Sequence, residues 1–135
     1  MSQAAANKQV VLAYVAAFNA GDQLALRGLF TDDARVQGVL GWGGMDAVMP
    51  VWRELHEAFC PVLTVESIVA EGDTVAARYS ERGQFRAPFR GQAPTGKAYE
   101  LVAMEFFTLR DGLIHRRWGA RDSASMARQT GASLG

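Results

Sequence analysis

The sequence has little of three things that mark particular protein classes: cysteine, an excess of one charge, and long apolar runs. With Cys60 as its one cysteine, it cannot form an internal disulfide, and the cytoplasm is the expected compartment. Its 14 basic and 14 acidic residues cancel, which argues against a nucleic-acid partner. No apolar run approaches the roughly 20 residues that span a bilayer, so we expect no membrane partner.

Signals for targeting, metal binding and phosphate binding are also missing. The first residues, MSQAAANK, lack a basic start followed by an apolar core, so no signal peptide is predicted. Two histidines, His56 and His115, have no neighbours at metal-ligand spacing, and we expect neither a metal nor a cofactor. Residues 91–98 have the glycine spacing of a phosphate loop, but no serine or threonine follows Lys97 and a strand is predicted next.

The composition that remains is that of one globular domain, residues 1–135. Apolar residues make up 49% of the chain and charged residues 21%, which is unlike a disordered protein. A chain of this length buries roughly two-thirds of its unfolded surface, which is enough for a sizeable core.

Three helices are predicted in the first part of the chain. Apolar residues at three- and four-residue steps predict a helix from Ser2 to Ala20, with Ser2 as N-cap and Gly21 as C-cap. Asp22 can cap a second, short helix. The third ends near Phe59.

The segments around the third helix are less regular. Pro50 fits that helix only near its first turn, or else it bends the helix. Residues 34–40 are a short strand candidate, and residues 41–44 are predicted to form a flexible turn. Trp42 in that turn is expected at the mouth of a pocket.

From residue 62 onward the pattern predicts strands. Residues 62–70 and 74–85 form one hairpin, residues 86–97 a loop, and residues 98–122 a second hairpin that turns at Asp111-Gly112. The fold class is therefore α+β: three N-terminal helices pack on a strongly curved, mostly antiparallel sheet, which forms a cone with a central pocket. Residues 123–135 are small and polar, and we expect a partly disordered tail there.

Glu105 is the acid that the strand pattern singles out. Strand alternation places it on one face with Tyr99, Leu101, Ala103, Phe107 and Leu109. A carboxyl group on an apolar face loses solvation and can act as an acid, a base or a neutral donor. The alternative is a structural ion pair with an arginine across the sheet, for which the candidates are Arg78, Arg82, Arg116 and Arg117.

Several other side chains are candidates for the pocket. Asp122 ends the last strand, four residues after Trp118, and the alternative to a site role is a strand-end cap or an exposed acid bonded to Arg121. Tyr14 lies on the buried stripe of the first helix, where its hydroxyl needs a partner. Four aromatic residues are candidates for cavity wall or core: Trp52, Phe59, Tyr79 and Trp118.

Four segments of the chain occur in an order that resembles a known superfamily. They are AYVAAFNAGDQLALRGLFTDDARV, SIVAEGDTVAARYSERGQF, GQAPTGKAYEL and the strand ending RRWGARD. Over about residues 7–122 the chain resembles the nuclear-transport-factor-2-like cone superfamily, and within it the SnoaL-like group of polyketide and ester cyclases. The resemblance implies the cone fold; function is less specific, because this fold hosts enzymes, carriers and binding modules.

The resemblance also implies roles for particular residues. In SnoaL-like cyclases a carboxylate just after the last-strand tryptophan is the general acid/base, and Asp122 matches that position. The early part is similar to ketosteroid isomerase, whose oxyanion tyrosine matches Tyr14 and whose protonated oxyanion-hole acid matches Glu105. The proton-abstracting aspartate of the isomerase falls on Gly38, so that base is missing. Gln37 beside it can hydrogen-bond but cannot titrate.

Together these points predict a cofactor-free cyclase or isomerase that acts by proton transfer on a small hydrophobic carbonyl compound. Asp122 and Glu105 would be catalytic, and Tyr14 and Gln37 would donate hydrogen bonds to the substrate. Lining the pocket would be Trp52, Phe59, Tyr79 and Trp118.

Two other functions stay open at this point. One is a non-catalytic module of the same fold that sequesters an apolar ligand. The other is an epoxide hydrolase, which needs an Asp-Arg-Asp arrangement around a water, with Arg78 and Arg116 as the candidate arginines.

A homodimer is also predicted. Val102, Met104 and Phe106 lie on the other face of the strand that carries Glu105, and that face is too apolar to meet water alone.

Overall fold

The fold is described by a computed structural model that covers residues 1–39 and 41–134. Within those residues four helices and six strands follow one another in the order α1 (Gln3–Ala20), α2 (Gln23–Gly28), β1 (Phe30–Gly38), β2 (Gly41–Gly44), α3 (Met45–Phe59), β3 (Val62–Glu71), β4 (Thr74–Gln84), β5 (Ala98–Arg110), β6 (Leu113–Arg121) and α4 (Ser123–Thr130). The predicted fold class, α+β with helices packed on a mostly antiparallel sheet, is confirmed.

The first two helices begin and end at residues that the sequence marks as caps. The Ser2 hydroxyl accepts a hydrogen bond from the Ala5 N–H at 3.1 Å, and Gly21 ends α1 in the left-handed conformation, with φ of 67°. The Asp22 carboxylate then accepts from the Ala25 N–H at 3.1 Å and starts α2. These local signals therefore set the turn that lets α1 lie against β3, β4 and β6.

All six strands form one sheet in the order β2-β1-β6-β5-β4-β3. Neighbouring strands are antiparallel except β1 and β6, which are parallel. The predicted Asp-Gly turn joins β5 and β6: Asp111 and Gly112 have φ of 52° and 78°, as a type I′ turn requires. Register shifts in three strand pairs bend the sheet.

The first strands differ from their prediction. β1 begins at Phe30 rather than at residue 34, and residues 41–44, predicted as a flexible turn, form β2. β2 pairs antiparallel with the end of β1, and β1 in turn pairs with β6. These long-range partners, rather than local propensity, extend the strands. Residue 40, which was predicted to end the first strand, lies outside the described residues.

The helix count is four rather than three, because Ser123–Thr130, predicted as part of a partly disordered tail, forms α4. β5 begins at Ala98, but its pairing with β6 begins only at Ala103. The backbone groups of the first residues of β5 therefore have no strand beside them on the β6 side. There the side-chain amide of Gln129 accepts a hydrogen bond from the Glu100 N–H at 2.9 Å and donates one to the Glu100 carbonyl oxygen at 2.8 Å. Met126 of α4 is fully buried. Residue 135 lies outside the described part.

In the described part of the chain, no helix is both long enough and apolar enough to cross a membrane. The helices pack on one face of the sheet, and the core lies between the helices and the sheet.

Candidate functional site

A cavity of about 160 Å³ lies between the inner face of the sheet and the helices α1 and α3. Most of its lining is apolar. Its polar lining is concentrated in six side chains, and these are Tyr14, Tyr79, Glu81, Glu105, Arg117 and Arg121. A pocket of this kind, apolar with a few convergent polar groups, is the common form of a small-molecule site.

Glu105 and Arg117 form a buried ion pair in the cavity wall. Their side chains are 10% and 8% exposed, and Arg117 Nη1 donates to Glu105 Oε2. The Tyr14 hydroxyl donates to the same oxygen at 3.0 Å. Trp52 of α3 lies opposite this part of the sheet, and the Arg117 guanidinium is 5.7 Å from the centre of its ring, a cation–π contact. Glu105 is thus both a pocket residue and one half of an ion pair. These two roles were predicted from the sequence as alternatives.

Two tyrosines next to Glu105 keep their protons. Burial, followed by the negative charge of Glu105, raises the pKa of Tyr14 and that of Tyr79. Each hydroxyl is therefore a hydrogen-bond donor at physiological pH.

Three buried atoms in this group have no hydrogen-bond partner among the described residues: the Tyr79 hydroxyl, Glu105 Oε1 and Arg117 Nε. Buried polar atoms without partners are uncommon.

A second acid, Glu81, lies in the same cavity. Its Oε2 accepts hydrogen bonds from the Tyr99 hydroxyl at 2.6 Å and from Arg121 Nη2. Burial raises the pKa of Glu81, although the Arg121 charge and the Tyr99 hydrogen bond lower it. We call Glu81, Tyr99 and Arg121 the Glu81 cluster, and Tyr14, Tyr79, Glu105 and Arg117 the Glu105 cluster.

Sequence reasoning missed Glu81, although a signal for it is present. β4 alternates, and Glu81 shares the buried face of that strand with Val75, Ala77 and Tyr79. The same parity argument that singled out Glu105 on β5 therefore applies to Glu81 on β4.

Small residues make room for Arg117. Along one row of the sheet Ala77 is opposite Glu105, and Glu105 is opposite Gly119. A Cβ atom at Gly119 would collide with the Arg117 guanidinium. Arg117 therefore folds across the bare backbone of Gly119 to reach Glu105, so the absence of a side chain there permits the ion pair.

The structure brings together half of the site residues predicted from the sequence. Those that line the cavity are Tyr14, Trp52, Tyr79 and Glu105. Phe59 is a core residue instead, with its ring 4.9 Å from that of Phe85 and 5.2 Å from that of Phe89.

Gln37 and Trp118 lie at a different surface. Both line a second groove, of about 500 Å³, which Met104 and Phe106 also line, on the outer face of the sheet. Trp42 lines the cavity and is half exposed, and its ring meets that of Trp118 edge to face at 6.2 Å. Trp42 thus lies at the cavity mouth, as expected.

Asp122 lies outside the residues that line the cavity. It is exposed, and its carboxylate accepts a hydrogen bond from the Ser125 N–H at 3.0 Å, which caps α4. This helix cap differs from the two alternatives considered from the sequence, a strand-end cap and an exposed acid bonded to Arg121. The acid/base role that the resemblance implies stays a prediction.

Substitutions at Asp122 separate these two roles. We expect Asp122→Asn to leave the Tm unchanged, because asparagine is an equally good N-cap. Unchanged turnover in this variant would leave Asp122 with the cap role alone. Asp122→Ala should lower stability by about 1 kcal/mol, which calorimetry can measure. Asp22→Ala, which removes the matching cap of α2, is the control. Loss of turnover in Asp122→Asn with an unchanged Tm would instead support the acid/base role.

A family model for the SnoaL-like polyketide cyclase matches residues 8–130. IdmH from Streptomyces antibioticus, a proposed polyketide cyclase, is 28% identical with a TM-score of 0.82, over 91% of this chain and 96% of that one. A proposed polyketide cyclase from Pseudomonas putida is 26% identical with a TM-score of 0.79, over 92% and 97%.

A more distant structural neighbour is an enzyme of another kind. An LEH-like epoxide hydrolase from M. tuberculosis is 15% identical with a TM-score of 0.76, over 94% of this chain and 90% of that one. At that identity the likeness concerns the fold alone. No curated protein matches the sequence.

Proposed function

The chain belongs to the SnoaL-like polyketide cyclase family, and we propose that it is a cofactor-free cyclase or isomerase that moves a proton on a hydrophobic carbonyl compound. One observation carries this proposal: two buried carboxyl groups, each bonded to an arginine and a tyrosine, line a single, mostly apolar cavity. Proton abstraction next to a carbonyl needs a base for the proton and a donor for the oxygen that becomes negative.

The cavity contains both kinds of group. Glu81 and Glu105 are the candidate bases, and Arg117 and Arg121 are the cations of the lining that can stabilise the oxygen that becomes negative. In surroundings of low polarity each of these interactions is stronger than in water.

The remaining wall favours an apolar substrate of limited size. Phe18, Val48, Trp52 and Leu55 are among the side chains that surround the cavity. A cavity of about 150 Å³ in another protein holds one benzene molecule, so the 160 Å³ here fits one reacting ring. Any further part of the substrate would lie beside Trp42 at the mouth.

The other two functions fit this cavity less well. A site that only sequesters an apolar ligand has no need of two buried carboxylates, whose removal from water is costly. An epoxide hydrolase would use Arg78 or Arg116, and neither lines the cavity. Arg116 instead donates to the backbone carbonyl oxygen of His115 at 2.9 Å.

Exchange of hydrogen for deuterium tests the proposed reaction without knowledge of the natural substrate. Ring-sized ketones, 1-indanone and 2-tetralone, are incubated in D₂O, and the loss of the proton next to the carbonyl is followed by NMR. We expect the protein to accelerate exchange at least about 100-fold over buffer, the usual size of general base catalysis.

A variant with a filled cavity is the control for this experiment. Val51 is half-buried and lines the cavity, so Val51→Trp should abolish exchange while the protein stays folded. No acceleration by the folded wild-type protein would contradict the proposal. Acceleration that survives in Val51→Trp would place the reaction outside the cavity.

We also propose a homodimer through the outer face of the sheet. Val102, Met104 and Phe106 are 52%, 52% and 46% exposed there, and Val69 is 60% exposed. An apolar patch of this kind is typical of a contact between proteins. Sedimentation at micromolar concentration should give twice the chain mass, and Phe106→Glu should give the monomer. A monomeric wild-type protein would count against the dimer.

The cytoplasm is the compartment we propose. Cys60 has no disulfide partner, which suits a reducing environment. Fractionation of the native host with an antibody against the protein tests this, and recovery outside the cytoplasm would contradict it.

A further inference from the structure

We infer that Glu81 is the side chain that takes the proton from the substrate and returns it, and that Glu105 is a positioning residue that holds Tyr14 and Arg117 in place. This inference rests on the proposed function. It adds a catalytic residue that the resemblance does not imply, since the resemblance points to Asp122 and Glu105. Three features of the two carboxyl groups carry it.

The first feature is how Glu81 is placed. The alternation of β4 turns it to the cavity side, and its side chain is only 5% exposed. Both of its hydrogen bonds, from Tyr99 and from Arg121, go to Oε2. The carboxyl group is thus oriented through one oxygen, and Oε1 takes part in neither bond. Because Glu81 lines the cavity, that oxygen is available to a bound molecule.

The second feature is the different setting of Glu105. Its Oε2 accepts from Tyr14 and Arg117, while its Oε1 is fully enclosed by protein. An enclosed oxygen cannot approach a C–H bond of a substrate. Burial opposes the charge on Arg117, but the negative charge of Glu105 outweighs it and raises the pKa of Arg117. Arg117 therefore keeps its charge.

The third feature is the balance of charges around Glu81. Burial raises its pKa, as does the charge of Glu105 from β5, while Arg121 from β6 and Tyr99 from β5 lower it. Burial is the largest of these effects, and the net result is a raised pKa for Glu81. A carboxyl group with a raised pKa gives a proton back more readily near neutral pH than an exposed one, which a proton carrier needs.

The chemical step balances with these groups alone. The C–H bond next to the carbonyl breaks, its proton forms an O–H bond with Glu81 Oε1, and its electron pair moves to the carbonyl oxygen to make an enolate. The Arg121 guanidinium, which lines the cavity and is bonded to Glu81, can stabilise the negative charge on that oxygen.

The enolate can then react in two ways. Its carbon can bond to an electrophilic carbonyl carbon of the same molecule, whose oxygen takes the proton from Glu81, which is cyclisation. Alternatively, Glu81 returns the proton to a different carbon, which is isomerisation. Neither route needs an oxidant, a reductant or a second substrate.

The ketone exchange assay tests the assignment with three matched variants. Glu81→Gln should lose at least 100-fold of the exchange rate, and Glu105→Gln should lose less at the same temperature. Glu100→Gln changes an exposed glutamate of β5 that pairs with Arg82, and it should keep the wild-type rate. A Glu81→Gln protein at the wild-type rate would overturn the inference. The proposed function would then stand, because the wild-type protein still catalyses exchange.

A second measurement covers the case in which Glu81→Gln does not fold, since it leaves Arg121 buried without its partner charge. If Glu81 is the base, the rate rises with pH as Glu81 loses its proton. Tyr99→Phe removes a hydrogen bond that lowers the pKa of Glu81. It should move this rise to higher pH by about one unit, the effect of one charge-assisted hydrogen bond.

Tyr14→Phe is the matched control, because it removes the corresponding hydrogen bond to Glu105. It should slow exchange without moving the pH at which the rate rises. A rise that moves in Tyr14→Phe and stays in place in Tyr99→Phe would assign the proton to Glu105 and overturn the inference. A wild-type protein with no exchange at any pH would instead remove the proposed function itself.

Discussion

Arg117→Met should lower the free energy of unfolding by about 3–5 kcal/mol, the usual cost of removing one partner of a buried ion pair. Methionine fills much of the space beside Trp52, so lost packing is a small part of the effect. The larger part comes from Glu105, whose side chain is 10% exposed and would be left without its cation. Chemical denaturation of the variant and the wild-type protein measures the difference directly.

Two further variants show whether charge is the cause. Glu105→Leu combined with Arg117→Met removes both charges, and we expect it to recover most of the lost stability, because apolar replacements of buried pairs are often neutral. Arg82→Met breaks an exposed pair with Glu100 and should cost at most about 1 kcal/mol. If Arg117→Met cost no more than Arg82→Met, the buried pair would not contribute as its geometry indicates.

Gly83→Ala should destabilise the protein by about 1–3 kcal/mol and also change the chemistry of Glu81. A Cβ atom at Gly83 would lie 2.8 Å from the backbone oxygen of Phe59 and 2.8 Å from the Tyr99 hydroxyl. The backbone oxygen belongs to the last residue of α3 and cannot move alone. Tyr99 would therefore shift, and its hydrogen bond to Glu81 would lengthen.

Calorimetry measures the first effect, and the pH dependence of ketone exchange measures the second. We expect Gly83→Ala to move the rise in rate in the same direction as Tyr99→Phe, toward higher pH. Gly28→Ala is the matched control: no atom lies within 4 Å of its added Cβ, so its stability should stay within about 1 kcal/mol of wild type. A Gly83→Ala protein as stable as Gly28→Ala would show that Tyr99 is not tightly held.

Much of the fold was predictable because its signals are local. Ser2, Gly21 and Asp22 are capping residues next to apolar periodicity, and Asp111-Gly112 is a turn with the positive φ angles that those residue types tolerate. Errors arose where a partner far along the chain decides the structure. β2 exists because β1 lies beside it, and α4 is ordered because it covers the part of β5 that β6 does not reach.

The candidate site was predictable to a similar degree. Alternation on β5 and periodicity on α1 placed Glu105 and Tyr14 on buried faces, and they meet at 3.0 Å in the cavity. The resemblance, and not alternation, placed Gln37 near the site, but the register of β1 turns it to the outer groove. Asp122 fell at the start of a helix that the sequence did not predict.

The sequence by itself determined the first three helices, the two main hairpins and the apolar face on which Glu105 lies. These properties depend on neighbours within a few positions along the chain, so capping residues, periodicity and alternation are enough to predict them. Only the tertiary structure decided how the charges pair. Arg117 reaches Glu105 because the register of β5 and β6 makes them diagonal neighbours and Gly119 leaves room between them. Arg121 of β6 reaches across β5 to pair with Glu81 of β4.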